Sequence, residues 1–286
     1  MTDDSVLLCD DQDGIRTLTL NRPHRRNAIN GELWAALREA LAEAARDRRV
    51  RALVLTGAPG AFCSGADVVD ADISRPADGT HPLHGLRALS DVALALHELP
   101  VPTVAKVNGA AMGAGWNLAL GCDLVVATPE STFSQVFARR GLSVDCGGSW
   151  LLPRLVGLQQ AKRLALLAET IDADEAWDLN LVTWVVSADE IDAFVADLAG
   201  RLADGPPIAL AQTKALLHES VDRTMRDALA AESRAQTVNF ATADTQEAYA
   251  AFTEKRRPRF TGRWAVPGGP RPSRTVPSEL ERHKHA

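Results

Sequence analysis

The stretch Asn108-Gly109-Ala110-Ala111-Met112-Gly113-Ala114-Gly115 comes directly after the apolar run Pro102-Thr103-Val104-Ala105-Lys106-Val107. A second glycine turn lies earlier in the chain, where Ala52-Leu53-Val54-Leu55 precedes Ala61-Phe62-Cys63-Ser64-Gly65-Ala66-Asp67. Both patterns predict a buried strand, a tight turn and then a helix. Small residues let the N–H groups of such turns approach a ligand closely, and a helix N-terminus adds partial positive charge. Two such turns facing one another can bind a carbonyl oxygen as an enolate forms, which predicts a site for chemistry on thioesters.

Strands and helices alternate up to residue 186, which predicts an α/β core. The strand patterns lie at residues 14–20, 52–55, 103–107 and 122–127, and the helical patterns at residues 30–44, 86–99, 116–120 and 149–152. Residues 68–84 are polar and rich in turn-forming residues, so we expect a mobile loop there. Beyond residue 188 the pattern is helical only. We therefore predict a core over residues 1–200, a helical region over 201–262 and a disordered tail over 263–286.

Composition and charge exclude several classes of protein. The 286 residues are 46% hydrophobic and carry a net charge of −6, so there is no general basic field for nucleic acid. No apolar run is long enough for a membrane helix, and the acidic start of the chain is unlike a signal peptide. We expect a cytoplasmic protein that binds neither membrane nor nucleic acid. The four cysteines have no metal-ligand spacing, so no metal site is expected.

The chain resembles the enoyl-CoA hydratase/isomerase (crotonase) superfamily over residues 12–262. The resemblance rests on the two glycine turns and on Leu20-Asn21-Arg22-Pro23, Leu151-Leu152-Pro153-Arg154-Leu155-Val156-Gly157 and Phe252-Thr253-Glu254-Lys255-Arg256. It implies a crotonase-like core in which ββα units form a spiral, followed by a C-terminal helical region. It also implies a homotrimer or a dimer of trimers. Coenzyme A is expected as part of the substrate, with no permanently bound cofactor.

The resemblance also assigns roles to individual residues. The N–H groups of Ala66 and Ala114 match the two oxyanion-hole positions of the family. Alone, these turns could equally serve only to connect strands to helices. The nucleotide of coenzyme A is expected to bind near Ala66, Asp67 and Val68 of the first turn and near the cationic residues Arg25 and Arg26. Lys255 and Arg256 match cations that reach the phosphates of coenzyme A. From the residue alone, Asp67 would more often be a helix cap.

The chain departs from the hydratases of this family at both catalytic glutamate positions. Asn117 and Phe137 stand there, and neither side chain can exchange protons with water. Efficient hydration of a 2-enoyl-CoA is therefore not expected. Asp145 matches the catalytic aspartate of several non-hydratase branches, and residues 141–154 look most like the ring-epoxide isomerase of phenylacetyl-CoA degradation. An alternative is that Asp145 only caps the helix that opens at Gly147.

We therefore hypothesise a coenzyme A thioester isomerase in which Asp145 moves the proton and Asn117 orients the substrate or a water. The alternatives are a weak enoyl-CoA hydratase of fatty-acid β-oxidation, a dehalogenase using Asp145 as nucleophile, and a non-catalytic acyl-CoA binding protein. Four aromatic residues are candidates either for the core or for the wall of the acyl pocket: Phe62, Trp116, Phe137 and Trp150.

Overall fold

The computed structural model describes residues 5–67 and 81–265, so Val68 and the other residues of 68–80 and 266–286 lie outside the described chain. The strands are β1 (Leu7–Gln12), β2 (Ile15–Leu20), β3 (Ala52–Gly57), β4 (Thr103–Val107), β5 (Ala110–Met112), β6 (Leu124–Ala127), β7 (Thr132–Ser134), β8 (Thr170–Asp172) and β9 (Trp184–Val185). The α-helices are α1 (Gly31–Ala44), α2 (Pro82–His97), α3 (Ala114–Gly121), α4 (Gly148–Leu167), α5 (Ala173–Asp178), α6 (Ile191–Ala203), α7 (Pro207–Ser220), α8 (Met225–Phe240) and α9 (Ala243–Glu254).

Two sheets organise these elements. A six-stranded sheet has the order β1-β2-β3-β4-β6-β9, in which only the β1–β2 pair is antiparallel. A smaller sheet has the order β5-β7-β8. The two sheets separate within the second glycine turn, because β4 belongs to the large sheet and β5 to the small one. The turn that carries Ala114 therefore lies where the two sheets meet.

Side chains that alternate along the central strands pack on opposite faces of the large sheet. Leu53, Leu55 and Ala105 belong to the main core, which α1, α2 and α3 cover. Val54, Val104 and Val126 pack instead with α6 through Ile191, Val195 and Leu198. Both faces are therefore covered by helices, as expected for a mostly parallel sheet.

The predicted α1 is confirmed together with its cap. The side chain of Asn30 accepts a hydrogen bond from the Leu33 N–H at 3.0 Å, which satisfies one free donor of the first turn. Leu33, Leu37 and Leu41 recur every four residues and are all buried. The periodic apolar face thus anchors this helix on the main core.

Several predicted boundaries were wrong. β1 was not predicted because four of its six residues are exposed and the segment is acidic, and β5, β7 and β8 are too short to give a period. The predicted loop ends earlier than residue 84, because α2 already begins at Pro82. The helix expected directly after Asp67 lies outside the described residues. Most of the predicted disordered tail does too, but Trp264 still pairs with Thr242 in an antiparallel bridge.

The helices of the described chain differ in how they pack. None of them is long and apolar enough to cross a membrane. α4 contains a break at Gly157, where φ is 72° and ψ is 162°, so it consists of two helical pieces. α7 has no buried residue at all, and α8 buries only Ala231 and Ala235. The C-terminal helices are therefore much more loosely covered than α1 or α3.

Candidate active site

The two glycine turns lie side by side. The Met112 N–H donates to the Cys63 carbonyl at 2.8 Å, and the Cys63 N–H donates to the Ala110 carbonyl at 3.0 Å. A Cβ added to Gly65 would lie 2.9 Å from the Met112 oxygen and 3.8 Å from the Ala114 nitrogen. Because Gly65 has a φ of +92°, both its conformation and its close contact require a glycine.

Two main-chain N–H groups of these turns, those of Ala66 and Ala114, are left out of the main-chain hydrogen bonds that the described residues form. The N–H of Ile29 donates to the Gly65 carbonyl, and the N–H of Asp67 donates to the Ile29 carbonyl. The N–H of Ala66, between these two residues of the turn, takes no part in this pairing. Ala114 is the first residue of α3, where a helical N–H has no partner within the helix. Neither N–H has a main-chain acceptor in the described part of the chain. The geometry leaves two donors on adjacent turns, one of them at a partially positive helix end.

Asp145 lies between a short 3-10 helix (Ala138–Arg140) and α4. The N-cap of α4 is Gly147, and the Gly148 N–H donates to the main-chain carbonyl of Asp145 at 2.9 Å, whereas no hydrogen bond among the described residues joins the Asp145 side chain to an N–H of this helix. The alternative that Asp145 acts as the cap is therefore wrong. Instead, its Oδ1 atom is buried with no hydrogen-bond partner among the described residues. Burial raises the pKa of Asp145, and the side chain of Cys146 lowers it to a smaller extent.

The backbone next to Asp145 is unusual. Cys146 has a φ of 47° and Gly147 a φ of 80°, so two successive residues adopt left-handed conformations. Such a conformation is uncommon for a non-glycine residue and persists only where the surroundings hold it. This local turn directs the chain from Asp145 into α4 without the aspartate entering the helix.

Asn117 holds this turn in place. It lies on α3 one turn after Ala114 and is 1% exposed. Its Nδ2 donates to the Asp145 carbonyl at 2.8 Å, and its Oδ1 accepts from Nε2 of Gln135 at 2.8 Å. A Cβ on Gly148 would lie only 2.5 Å from the Asn117 Nδ2. Both ends of the Asn117 amide are thus bound to protein groups, one of which is the main chain of Asp145.

The four candidate aromatic residues divide into two groups. Phe62 and Trp116 are fully buried in the core. Phe137 is also buried and lies beside the second turn, since a Cβ on Gly113 would be 3.5 Å from its Cζ. Trp150 lines a cavity of about 850 Å³ between α2, α3, the start of α4 and α7. Asn117, Cys146 and Gly147 also line this cavity, which therefore reaches the segment that carries Asp145.

The residues predicted to bind coenzyme A are placed unevenly. Ser64 donates from Oγ to the Arg25 carbonyl and from its N–H to the Arg26 carbonyl, at 3.2 and 3.0 Å. Both arginines are exposed, and their main chain contacts the turn that carries Ala66. Asp67 is buried and forms an ion pair with Arg22 at 2.8 Å, so its side chain stabilises the turn from the protein interior. Val68 lies outside the described residues.

The C-terminal cations are not brought to these turns. Arg256 forms ion pairs with Glu247 at 2.5 Å and with Glu254 at 2.6 Å, and Lys255 is exposed at the end of α9. No hydrogen bond or ion pair within the described ranges links either residue to the site. The contacts within one chain therefore do not support binding of these cations to a ligand in the site of that same chain.

Sequence reasoning missed two groups of residues near the site. The Arg22–Asp67 pair joins positions 45 residues apart, which no local pattern reveals. A second group contains His97, stacked on His218, and Lys214, paired with Asp123 at 2.8 Å. Lys214 and His218 are four residues apart on α7, so their spacing could have placed both on one helix face. Nothing in the sequence indicates what that face contacts.

Comparison with known proteins identifies the family. The sequence profile of the Enoyl-CoA hydratase/isomerase family matches residues 10–263. The chain belongs to this family. It is 38% identical over 255 residues to the 1,2-epoxyphenylacetyl-CoA isomerase of Escherichia coli K12, covering 87% of this chain and 96% of that protein. It is also 35% identical over 262 residues to the 2,3-dehydroadipyl-CoA hydratase of the same organism, covering 91% of this chain and 100% of that protein.

Solved structures of this enoyl-CoA hydratase/isomerase family share the fold. An enoyl-CoA hydratase from Mycobacterium smegmatis superposes with a TM-score of 0.83 at 34% identity, covering 89% of this chain and 98% of that one. The predicted α/β class with a crotonase-like core is therefore confirmed. The chain is an enzyme of a family that acts on coenzyme A thioesters. The names of its relatives include both an isomerase and a hydratase, so similarity alone does not assign the reaction.

Proposed function

We propose that this protein isomerises an acyl-CoA thioester, by a shift of a double bond or by rearrangement of a ring epoxide, with Asp145 as the proton shuttle. The observation that carries the proposal is the Asp145 carboxyl group, whose buried Oδ1 has no hydrogen-bond partner within residues 5–67 and 81–265. Its raised pKa, caused by burial, makes the carboxylate a better base than an exposed aspartate. Cys146 and Gly147, the two residues that follow Asp145, line the 850 Å³ cavity, and so does Asn117, one helical turn after Ala114.

In this mechanism the thioester oxygen accepts hydrogen bonds from the N–H groups of Ala66 and Ala114. These donors stabilise the negative charge that develops as a proton leaves the acyl chain, and each contributes about 3 kcal/mol in comparable sites. The Asp145 carboxylate takes the proton from one carbon, the double bond moves, and the same proton returns two carbons along. The reaction needs one base and no water, which agrees with Asn117 and Phe137 in the positions of the two glutamates.

Binding of coenzyme A is proposed at the mouth of the first turn. Arg25 and Arg26 supply exposed cations there, and residues 66–68 supply main-chain groups. Lys255 and Arg256 are proposed to reach coenzyme A phosphates of a neighbouring subunit. Assembly as a trimer or a dimer of trimers would bring subunits together, and large apolar side chains are exposed on the C-terminal helices for such contacts: Met225, Leu229, Phe240, Tyr249 and Phe252.

Weak hydration of a 2-enoyl-CoA is the second candidate. It is favoured by the similarity to a hydratase, but the site lacks the second proton-transferring group that addition of water requires. Asn117 cannot supply it, because both ends of its amide are bound by Gln135 and the Asp145 carbonyl. A non-catalytic acyl-CoA binding protein is the candidate from another class.

The test is conversion of 3-enoyl-CoA substrates to the conjugated 2-enoyl-CoA, followed by ultraviolet absorbance. Wild type should turn over, and Asp145→Asn should lose at least a hundredfold in kcat while still binding a saturated acyl-CoA. Asp189→Asn, an exposed aspartate, is the matched control and should behave as wild type. Unchanged turnover in Asp145→Asn would refute the role of Asp145. Faster hydration than isomerisation would favour the hydratase, and binding without turnover of any substrate would favour the binding protein.

A further inference from the structure

The 850 Å³ cavity is bounded on one side by α7, a helix without buried residues. Asn117, Cys146 and Gly147 form part of its wall, and the last two follow the proposed proton shuttle Asp145 in the chain. Leucines and alanines of α2 and α7 line much of its wall. A cavity of this size and character is typical of a pocket for a small organic group. It is suited to receive the part of a ligand that extends beyond the two turns.

Two histidines form a polar part of this cavity wall. The rings of His97 on α2 and His218 on α7 are stacked with centroids 3.9 Å apart and planes 8° apart. The edge of Trp150 meets His97 with centroids 5.2 Å apart. All three residues line the cavity. An imidazole in the wall of such a pocket is chemically specific, because a neutral imidazole carries both hydrogen-bond donor and acceptor capacity.

The charges around this stack exclude an anionic ligand group. Lys214 is the one lysine or arginine among the described residues that line the cavity. Its ammonium group is already paired with Asp123 at 2.8 Å and donates to the Val101 carbonyl at 3.3 Å. The carboxyl groups of Glu98 and Glu219 also line the cavity. A carboxylate or phosphate entering here would meet two like charges and no unpaired cation, so the polar part favours a neutral group.

His97 offers an acceptor to such a group. Burial, together with the positive charges possible on His218 and present on Lys214, lowers the pKa of His97, so the ring is neutral at neutral pH. In a neutral imidazole one ring nitrogen carries the hydrogen and donates. The second nitrogen of a neutral imidazole then carries a lone pair, which accepts a hydrogen bond. The complementary neutral donor on a ligand is a hydroxyl group.

We infer that this cavity binds the acyl group and selects one that carries a neutral hydroxyl group, which donates to His97. The inference rests on the proposed function, because it places the thioester at the Ala66 and Ala114 turns. It specifies the class of acyl group: hydroxylated rather than plain alkyl, and rather than terminated by a carboxylate. The stacking partner His218 is a positioning residue, which holds the His97 ring against Trp150.

The test compares binding of saturated acyl-CoA thioesters, which need no turnover. Titration calorimetry gives the Kd of octanoyl-CoA, its terminally hydroxylated analogue and its terminal carboxylate analogue, with decanoyl and hexanoyl series to vary reach. In wild type we expect the hydroxylated ligand of the best-fitting series to bind more tightly than the other two. In His97→Phe, which keeps a flat ring, this ligand should lose roughly tenfold in affinity, the value of one hydrogen bond. The plain alkyl ligand should bind as before or more tightly.

His84→Phe is the matched control, since His84 lies on the same helix but is exposed and outside the cavity lining. It should leave all three affinities unchanged. Ala215→Trp, which fills the cavity, should weaken every acyl-CoA but leave free coenzyme A unaffected. Equal loss for alkyl and hydroxylated ligands in His97→Phe, or no effect of Ala215→Trp, would overturn the inference. Failure of the proposed isomerisation is recognised separately, by absence of turnover in proteins that still show the ligand preference.

Discussion

Replacement of Asn117 by aspartate tests how the position of Asp145 is maintained. The substitution keeps the shape of the side chain and the acceptor for Gln135, but replaces the donor to the Asp145 carbonyl, 2.8 Å away, by an oxygen. Loss of this hydrogen bond costs about 1 kcal/mol of stability. The two buried oxygen acceptors that then face each other without a donor cost about 1–3 kcal/mol more. We expect Asn117→Asp to lower the free energy of unfolding at pH 7 by about 2–4 kcal/mol.

The sign of the pH dependence follows from the same contact. The introduced carboxyl group can donate to the Asp145 carbonyl only when protonated, and burial also favours the neutral form, so its pKa in the folded protein lies above that in the unfolded chain. The hydrogen bond is therefore present at pH values below the unfolded pKa and is lost as the pH rises through the folded pKa. The destabilisation should shrink between pH 7 and pH 4.

The assay is urea unfolding at both pH values, combined with kcat and KM for 3-enoyl-CoA isomerisation. Displacement of Asp145 should lower kcat at least tenfold with a smaller change in KM. Asn180→Asp, at an exposed position, controls for the added charge. A cost below about 0.5 kcal/mol at pH 7, or an equal cost at both pH values, would refute the role given to the Asn117–Asp145 bond.

Three further predictions concern single residues. Gly65→Ala should destabilise the protein by about 2–4 kcal/mol, through backbone strain and the 2.9 Å contact of the new Cβ with the Met112 oxygen. Gly60→Ala, also at positive φ but in open space, should show the cost of the strain alone. Equal costs of the two substitutions in thermal melts would contradict this. Asp145→Asn should be more stable than wild type at pH 7, because burial raises the pKa of Asp145 and ionisation opposes folding. That difference should disappear as the pH falls below the ordinary range of an aspartate, and a wild type more stable at pH 7 in urea melts would argue against it. Asp123→Asn should lower stability by about 2 kcal/mol by leaving the Lys214 ammonium unpaired, a loss that a Lys214→Met background should reduce in a double-mutant cycle.

The local pattern of the sequence was enough for much of the site. The apolar runs before the glycine turns predicted β3 and β4, and small residues predicted a turn where Ala114 starts a helix. These features follow from the conformational freedom of glycine and from hydrophobic periodicity, which act over a few residues. The absence of glutamate at positions 117 and 137 was likewise visible in the chain. Such local constraints can therefore be predicted from the sequence of neighbouring residues.

The tertiary structure decided what the polar side chains do. Asn117 was expected to orient a substrate or water, but the fold brings it within 2.8 Å of both Gln135 and the Asp145 carbonyl. Asp67 was assigned to coenzyme A, and its side chain instead pairs with Arg22. His97 on α2 stacks on His218 of α7, a contact between segments that are far apart in the chain. Sequence determines which hydrogen-bonding groups a chain possesses, but their partners depend on packing between distant segments, and so does the burial that sets their pKa values.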